Sequence, residues 1–315
     1  MVENVQMLSR GLWGILATPF TGGAQELDEP SLRREVQLFR GVPATGLVAL
    51  GVFGEGVALD ADEQTRVVRA VADEAGDLPL VVGVSARTTA VAVEQGRRAV
   101  AAAGRPLAGL MVQANSADRE VLSAHLRTVH DRTGTGIILQ DYPEASGVRI
   151  TAATTLGVLE DCPFVVAVKS EAPPTAAAIA AIAPKTGVPL FGGLGGVGLL
   201  DELAAGAAGA MTGFSHPEGL QQALVAWDEG GFPAAREAFA PWLPLVNFEA
   251  QPGIGLAMRK EILRRRGVFS DGAVRPPARS VPPQLLDLMT RHLEAVADRV
   301  DGRGPGPTTV AESSR

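Results

Sequence analysis

The sequence predicts an α/β fold, a (β/α)8 TIM barrel followed by a C-terminal helical extension. Three observations predict it. Short apolar runs recur eight times, each is followed by a longer stretch with helical spacing, and after the eighth only helical spacing remains. The runs are near-continuous in Val, Ile and Leu rather than alternating, as parallel strands covered on both faces require. Eight such units in about the first 220 residues fit a barrel in count and length. A doubly wound sheet is the competing fold, but it usually has fewer strands and leaves the helical tail unexplained.

The runs are 14–20, 46–52, 80–85, 109–113, 136–142, 164–169, 189–193 and 209–214. Helical stretches are expected between them over 31–40, 61–75, 89–103, 117–132, 151–159 and 174–183, then over 217–229, 233–248, 254–266 and 282–300. Residues 1–10 form an N-terminal extension, 11–220 the barrel and 221–300 the helical region. The tail 301–315 is rich in Gly, Pro and Ser and is expected to be disordered.

Of 315 residues, 46% are hydrophobic, which is enough for a large core. The formal net charge of −7 argues against nucleic acid and anionic membrane as partners, since both select a basic face. One cysteine, Cys162, excludes an intrachain disulfide, and four scattered histidines have no metal-ligand spacing. Nothing in the composition asks for a metal or a cofactor. No apolar run reaches the length of a membrane span and the N-terminus lacks a signal-peptide layout, so a cytoplasmic location is expected.

In barrels the site forms at the C-terminal strand ends. That rule nominates Thr18, Gly51 to Glu55, Ser85, Gln113 to Ser116, Gln140, Tyr142, Lys169, Gly192 to Gly195, Ser215 and His216. Lys169 stands out, because the chain is rich in Arg and has only two other lysines, Lys185 and Lys260. It ends the apolar run Phe164–Val168. Desolvation disfavours an ammonium, and a desolvated amine attacks carbonyls, which a guanidinium never does. The bland alternative is a lysine that has just left its strand and points to solvent.

Four blocks, GLWGILATPF, GVFGEGVALDADEQ, QDYPEASGV and VAVKSEAP, resemble the dihydrodipicolinate synthase / N-acetylneuraminate lyase family. The resemblance is collinear from about Gly11 to Arg275. It implies class I chemistry: Lys169 forms a Schiff base with the ketone of pyruvate or a longer 2-oxo acid. The substrate carboxylate is then expected on the loop Gly51, Val52, Phe53, Gly54 and Glu55, with Thr18, Asn115, Gly193 and His216 as further binding residues. The resemblance also implies a homodimer or homotetramer.

The departures are as informative. Val52 and Phe53 stand where relatives usually carry hydroxyl residues, and Ala114-Asn115-Ser116 where they often read Pro-Tyr-Tyr. Anchoring on Pro143 and Ser146-Gly147 puts Gln140 at the family's tyrosine position, while the strand period of two points Tyr142, the only tyrosine, to the same side. Tyr142 is a candidate acid/base or a rim aromatic, and Gln140 a candidate for orienting water or substrate. Ala145 replaces the arginine of dihydrodipicolinate-forming members, so that reaction is not expected. His216 is as readily a structural histidine.

Two further motifs are discounted. The GxGxxG at 193–198 lies in the seventh unit, not the first where a dinucleotide site needs it. Arg264-Arg265-Arg266 ends a helix, where cations favour the dipole. Three functions stay open: an aldol-type lyase on a 2-oxo acid, a dehydratase of a 2-oxo-3-deoxy sugar acid, and a catalytically silent 2-oxo acid binder.

Overall fold

The computed structural model describes residues 6–24 and 26–300. Eight strands, β1 (Gly11–Ile15), β2 (Gly46–Ala49), β3 (Leu80–Val84), β4 (Gly109–Gln113), β5 (Ile137–Asp141), β6 (Val165–Ser170), β7 (Leu190–Gly192) and β8 (Gly209–Thr212), close into one parallel barrel. Helices α1 (Glu29–Gly41), α2 (Ala61–Glu74), α3 (Thr89–Ala103), α4 (Arg119–Thr133), α5 (Ala152–Asp161), α6 (Thr175–Ile182) and α7 (Leu199–Ala204) return the chain between strands. The predicted (β/α)8 barrel is the observed fold. Tail residues 301–315 lie outside the described residues.

Why these segments become strands is plain from their burial. Trp13, Ile15, Val48, Val81, Met111, Ile138, Val166 and Phe191 fill the barrel interior, while Leu12, Leu47, Val82 and Leu110 pack outward against helices. Both faces are dry, so alternation disappears and the runs read as continuously apolar. The register places Gln113 opposite Gln140 and Gln140 opposite Lys169, so three polar residues share one layer on consecutive strands.

The first strand is shorter and earlier than the run 14–20 suggests. It ends at Ile15, and Phe20–Thr21 instead pairs antiparallel with Glu26–Leu27. Pro19 cannot donate to a ladder, which stops the strand short of Phe20. The C-terminal region is α8 (Pro217–Phe239), α9 (Leu243–Glu249), α10 (Gly255–Arg265) and α11 (Leu286–Val300). α8 runs through a kink at Gly231 (φ 64°), ahead of Pro233, where a break between two helices is expected from the sequence. Leu220, Phe239, Trp242, Met258 and Met289 bury against Leu12, Ala210 and Phe214, so the extension closes one side of the barrel.

A buried ion pair pins this extension to the loop after β2. Lys260 on α10 is fully buried; its ammonium binds Glu55 and donates to the Ala273 carbonyl at 3.0 Å. The Arg275 amide donates to the other Glu55 oxygen at 3.1 Å, and its guanidinium meets Glu63 at 2.6 Å. The Phe20 ring packs against both cations, 4.3 Å from each. Removing one member of a buried pair leaves a desolvated charge behind. Lys260→Met is therefore expected to lower stability by about 3–5 kcal/mol, read from the denaturant midpoint. A loss under about 1 kcal/mol would place the pair among ordinary surface bridges.

Candidate active site

Lys169 faces the barrel interior at the end of β6 and is 4% exposed. Its Nζ lies 2.8 Å from Glu171 Oε2. The same carboxylate accepts from Gln140 Nε2 at 2.8 Å, and its Oε1 accepts from the Leu194 amide at 3.4 Å. Glu171 is two residues beyond Lys169, so the period of two turns both side chains inward. Gly193 makes this possible: a Cβ there would fall 2.3 Å from Glu171 Oε1. Gly193 thus gives space to the carboxylate.

Lys169 and Glu171 open onto a cavity of about 550 Å³. Tyr142, Val52, Phe53 and Arg259 also line it. The Tyr142 hydroxyl donates to Glu144 at 3.4 Å. Burial, then the negative charges of Glu171 and Glu144, push this phenol up to about 12. It keeps its proton near neutral pH and can serve as an acid, not as a base. Arg259, from α10, sits over the Phe53 ring at 5.4 Å and pairs with buried Glu249 at 3.2 Å. Gly213 accommodates Phe53, whose ring a Cβ would meet at 2.4 Å.

Lys169, Tyr142, Val52 and Phe53 therefore share one cavity, and Gln140 touches its carboxylate. Gly51 and Gln140 line a neighbouring cavity, which Val52 separates from the first. Among the described residues, the Val52 and Phe53 amides donate to no backbone carbonyl, so both remain available to a ligand.

Five expected binding residues stand elsewhere. The Glu55 side chain is committed to Lys260 and the Arg275 amide, and its own amide donates to the Val52 carbonyl. Glu55 adopts φ 52°, and this left-handed turn aims its carboxylate at the extension instead of the cavity. Thr18 Oγ1 donates to the Gly54 carbonyl at 2.6 Å, so these two residues fasten the loop and leave the cavity wall to others. Asn115 donates to the Arg87 carbonyl at 3.1 Å and lines neither cavity. His216 is buried against Trp242 and Phe214 with Ser215 Oγ on Nδ1 at 2.9 Å. Burial pushes it down to about 3, which keeps it neutral.

Sequence reasoning missed Glu171 and Arg259. The first had a signal, the spacing of two from Lys169. The second had none, because α10 reaches the mouth only through the packing of the extension. No cluster of His, Cys, Asp and Glu suited to a metal occurs among the described residues. No helix among them is long and apolar enough to cross a membrane.

A parallel barrel with a buried lysine at a strand end, a carboxylate on its Nζ and an open mouth defines a class of carbonyl-handling barrel enzymes. The family model of the dihydrodipicolinate synthetase family matches residues 8–296, and the chain belongs to that family. Its members are class I aldolases, lyases and dehydratases. The chain is 30% identical over 304 residues to an L-2-keto-3-deoxyarabonate dehydratase from Azospirillum brasilense, spanning 93% of this chain and 94% of that protein. It is 32% identical over 282 residues to a 4-hydroxy-tetrahydrodipicolinate synthase from Kineococcus radiotolerans, spanning 88% and 90%. The crystal structure of dihydrodipicolinate synthase from Rhodopseudomonas palustris superposes with TM-score 0.84 at 28% identity, covering 92% of this chain and 99% of that one.

Proposed function

We propose that this enzyme is a dehydratase of a 2-oxo-3-deoxy sugar acid, working through an imine on Lys169. The observation that carries it is Glu171, held by Gln140 and the Leu194 amide directly on Lys169 Nζ. The amine condenses with the C2 ketone and water leaves; the substrate carboxylate rests on the Val52 and Phe53 amides. Glu171 then takes a C3 proton, and the C–H electron pair becomes the C2=C3 bond of an enamine. The nitrogen pair then re-forms C2=N and the C2=C3 pair becomes C3=C4 as the C4–O bond breaks, and Tyr142 gives its proton to the departing hydroxyl, which leaves as water. Hydrolysis releases Lys169.

The likeness to a 2-keto-3-deoxyarabonate dehydratase over nearly both full lengths supports dehydration over other outcomes of the same imine. So does Gln140, an amide where relatives of the synthase type hold a phenol: it can orient Glu171 but carries no proton to a condensing aldehyde. Aldol-type cleavage, placed first on the sequence alone, uses the same lysine and is the second reading. Ala145 leaves the dihydrodipicolinate reaction outside the proposal. A cytoplasmic location and assembly as a homodimer or homotetramer belong to the same reading, and sedimentation measures the latter.

The test is product analysis with L-2-keto-3-deoxyarabonate. Loss of one water with the carbon chain intact supports dehydration; release of pyruvate supports cleavage. Tyr142→Phe checks the acid. Its kcat is expected to fall about 100- to 10000-fold, the usual range for general acid catalysis, while borohydride still traps the imine. Near-full turnover would make the tyrosine a wall of the cavity only.

A further inference from the structure

Arg259 and Lys260 are neighbours on α10, and they reach two residues of one loop. Lys260 holds Glu55 away from the Lys169 cavity. Arg259 lines that cavity and holds Phe53, with its guanidinium carbon 5.4 Å from the ring centroid. A cation within about 6 Å of an aromatic centroid is drawn to the face of the ring. The ring has further supports. It packs against the buried cluster of Ala17, Leu263 and Phe269, and Gly213 leaves it room.

Arg259 is itself tied down. Its Nε donates to Glu249 Oε2 at 3.2 Å. Glu249 is fully buried and also accepts from the Ser215 amide at 3.3 Å and from the Ser215 hydroxyl. Gly195 (φ 73°) gives the guanidinium its space, since a Cβ there would fall 2.1 Å from Nη2. The glycine run at 193–198, which fits no dinucleotide site, thus clears room for two charged side chains: Gly193 for Glu171 and Gly195 for Arg259. An arginine suits this place better than a lysine, because one planar group can stack on a ring and hydrogen-bond a carboxylate together.

The ring and the amide of Phe53 share one Cα, so a ring held still limits where the amide can point. We propose that Arg259 is a positioning residue: by gripping the Phe53 ring it sets the Val52 and Phe53 amides against the substrate carboxylate. The docked extension, and not the barrel alone, then makes the carboxylate seat. This role rests on the imine at Lys169 and on those two amides as the seat.

The test is borohydride trapping of the full chain over a range of pyruvate concentrations, read as the half-saturating concentration and the final adduct per chain. Arg259→Gln should raise half-saturation about tenfold and leave the final adduct unchanged. A merely structural role would do the reverse, lowering the final adduct with half-saturation in place, and that result overturns the proposal. Arg259→Lys keeps a cation above the ring and should raise half-saturation only about threefold. Phe53→Leu removes the ring but keeps the amide, and should match Arg259→Gln at about tenfold. Because the two residues act as one unit, the double variant should again lose about tenfold and no more. A loss near a hundredfold in the double variant would mean that Arg259 meets pyruvate itself, and it overturns the positioning role. So does unchanged half-saturation in either Arg259→Gln or Phe53→Leu. In those cases the adduct on the natural chain leaves the imine standing. No adduct with pyruvate on the natural chain overturns the imine and this role together.

Discussion

Lys169→Arg is expected to eliminate both turnover and every borohydride-trapped adduct. The guanidinium keeps the positive charge beside Glu171 and stays protonated throughout the working pH range, so no nucleophilic nitrogen is presented to the ketone. Intact mass after reduction with pyruvate should show one added ligand on the natural chain and none on the variant. Peptide mapping should place the adduct on Lys169. Lys185 is exposed and Lys260 is locked onto Glu55, which makes them internal controls. An adduct on either of them, with Lys169 unmodified, would sink the mechanism. Residual turnover in Lys169→Arg within about tenfold of the natural enzyme would do the same.

Glu171→Gln carries the second largest effect. The amide oxygen can still accept from Nζ, and the side chain keeps its volume in the space that Gly193 leaves open. What it loses is the capacity to take a proton. Turnover should fall about 100- to 10000-fold, the contribution typical of a general base, while the imine still forms and can be trapped. Gln140→Leu separates base from support, because it removes only the 2.8 Å hydrogen bond that orients the carboxylate. Its loss should be smaller, about tenfold, in keeping with one buried hydrogen bond to a charged group. If Glu171→Gln turned over normally, water or substrate would have to be the base.

The barrel was legible because its signal is repeated. Eight apolar runs at similar spacing each carry the same information, so an error in one, as at 14–20, leaves the count intact. Lys169 was legible for a different reason: an amine at the end of a dry strand has few structural uses. The direction of the Glu55 side chain was out of reach, because motif and loop position do not show it. A left-handed turn at one residue sends its side chain to the far side of the loop, and the partner, Lys260, lies 205 positions away. Thr18 and Asn115 are alike in this: the strand-end rule finds the rim of the barrel, but not their hydrogen bonds to backbone carbonyls, which fasten loops. Arg259 was out of reach because its place depends on how a helix outside the barrel repeat docks.

The ion pair between Glu55 and Lys260 also orders the birth of the protein. Thr212 ends the last barrel strand, while Lys260, Ala273 and Arg275, which complete the seat of the Glu55 loop, come some 60 residues later in synthesis. At a translation rate of about 5–20 residues per second, a nascent barrel waits about 3–12 seconds with the Glu55 carboxylate unanswered. During that interval the loop is fastened by Thr18 on the Gly54 carbonyl alone, with the Lys260 and Arg275 contacts to Glu55 still to come. The ribosome thus finishes the barrel strands before the residues that answer Glu55, and a stalled chain ending near residue 250 would carry that carboxylate without Lys260.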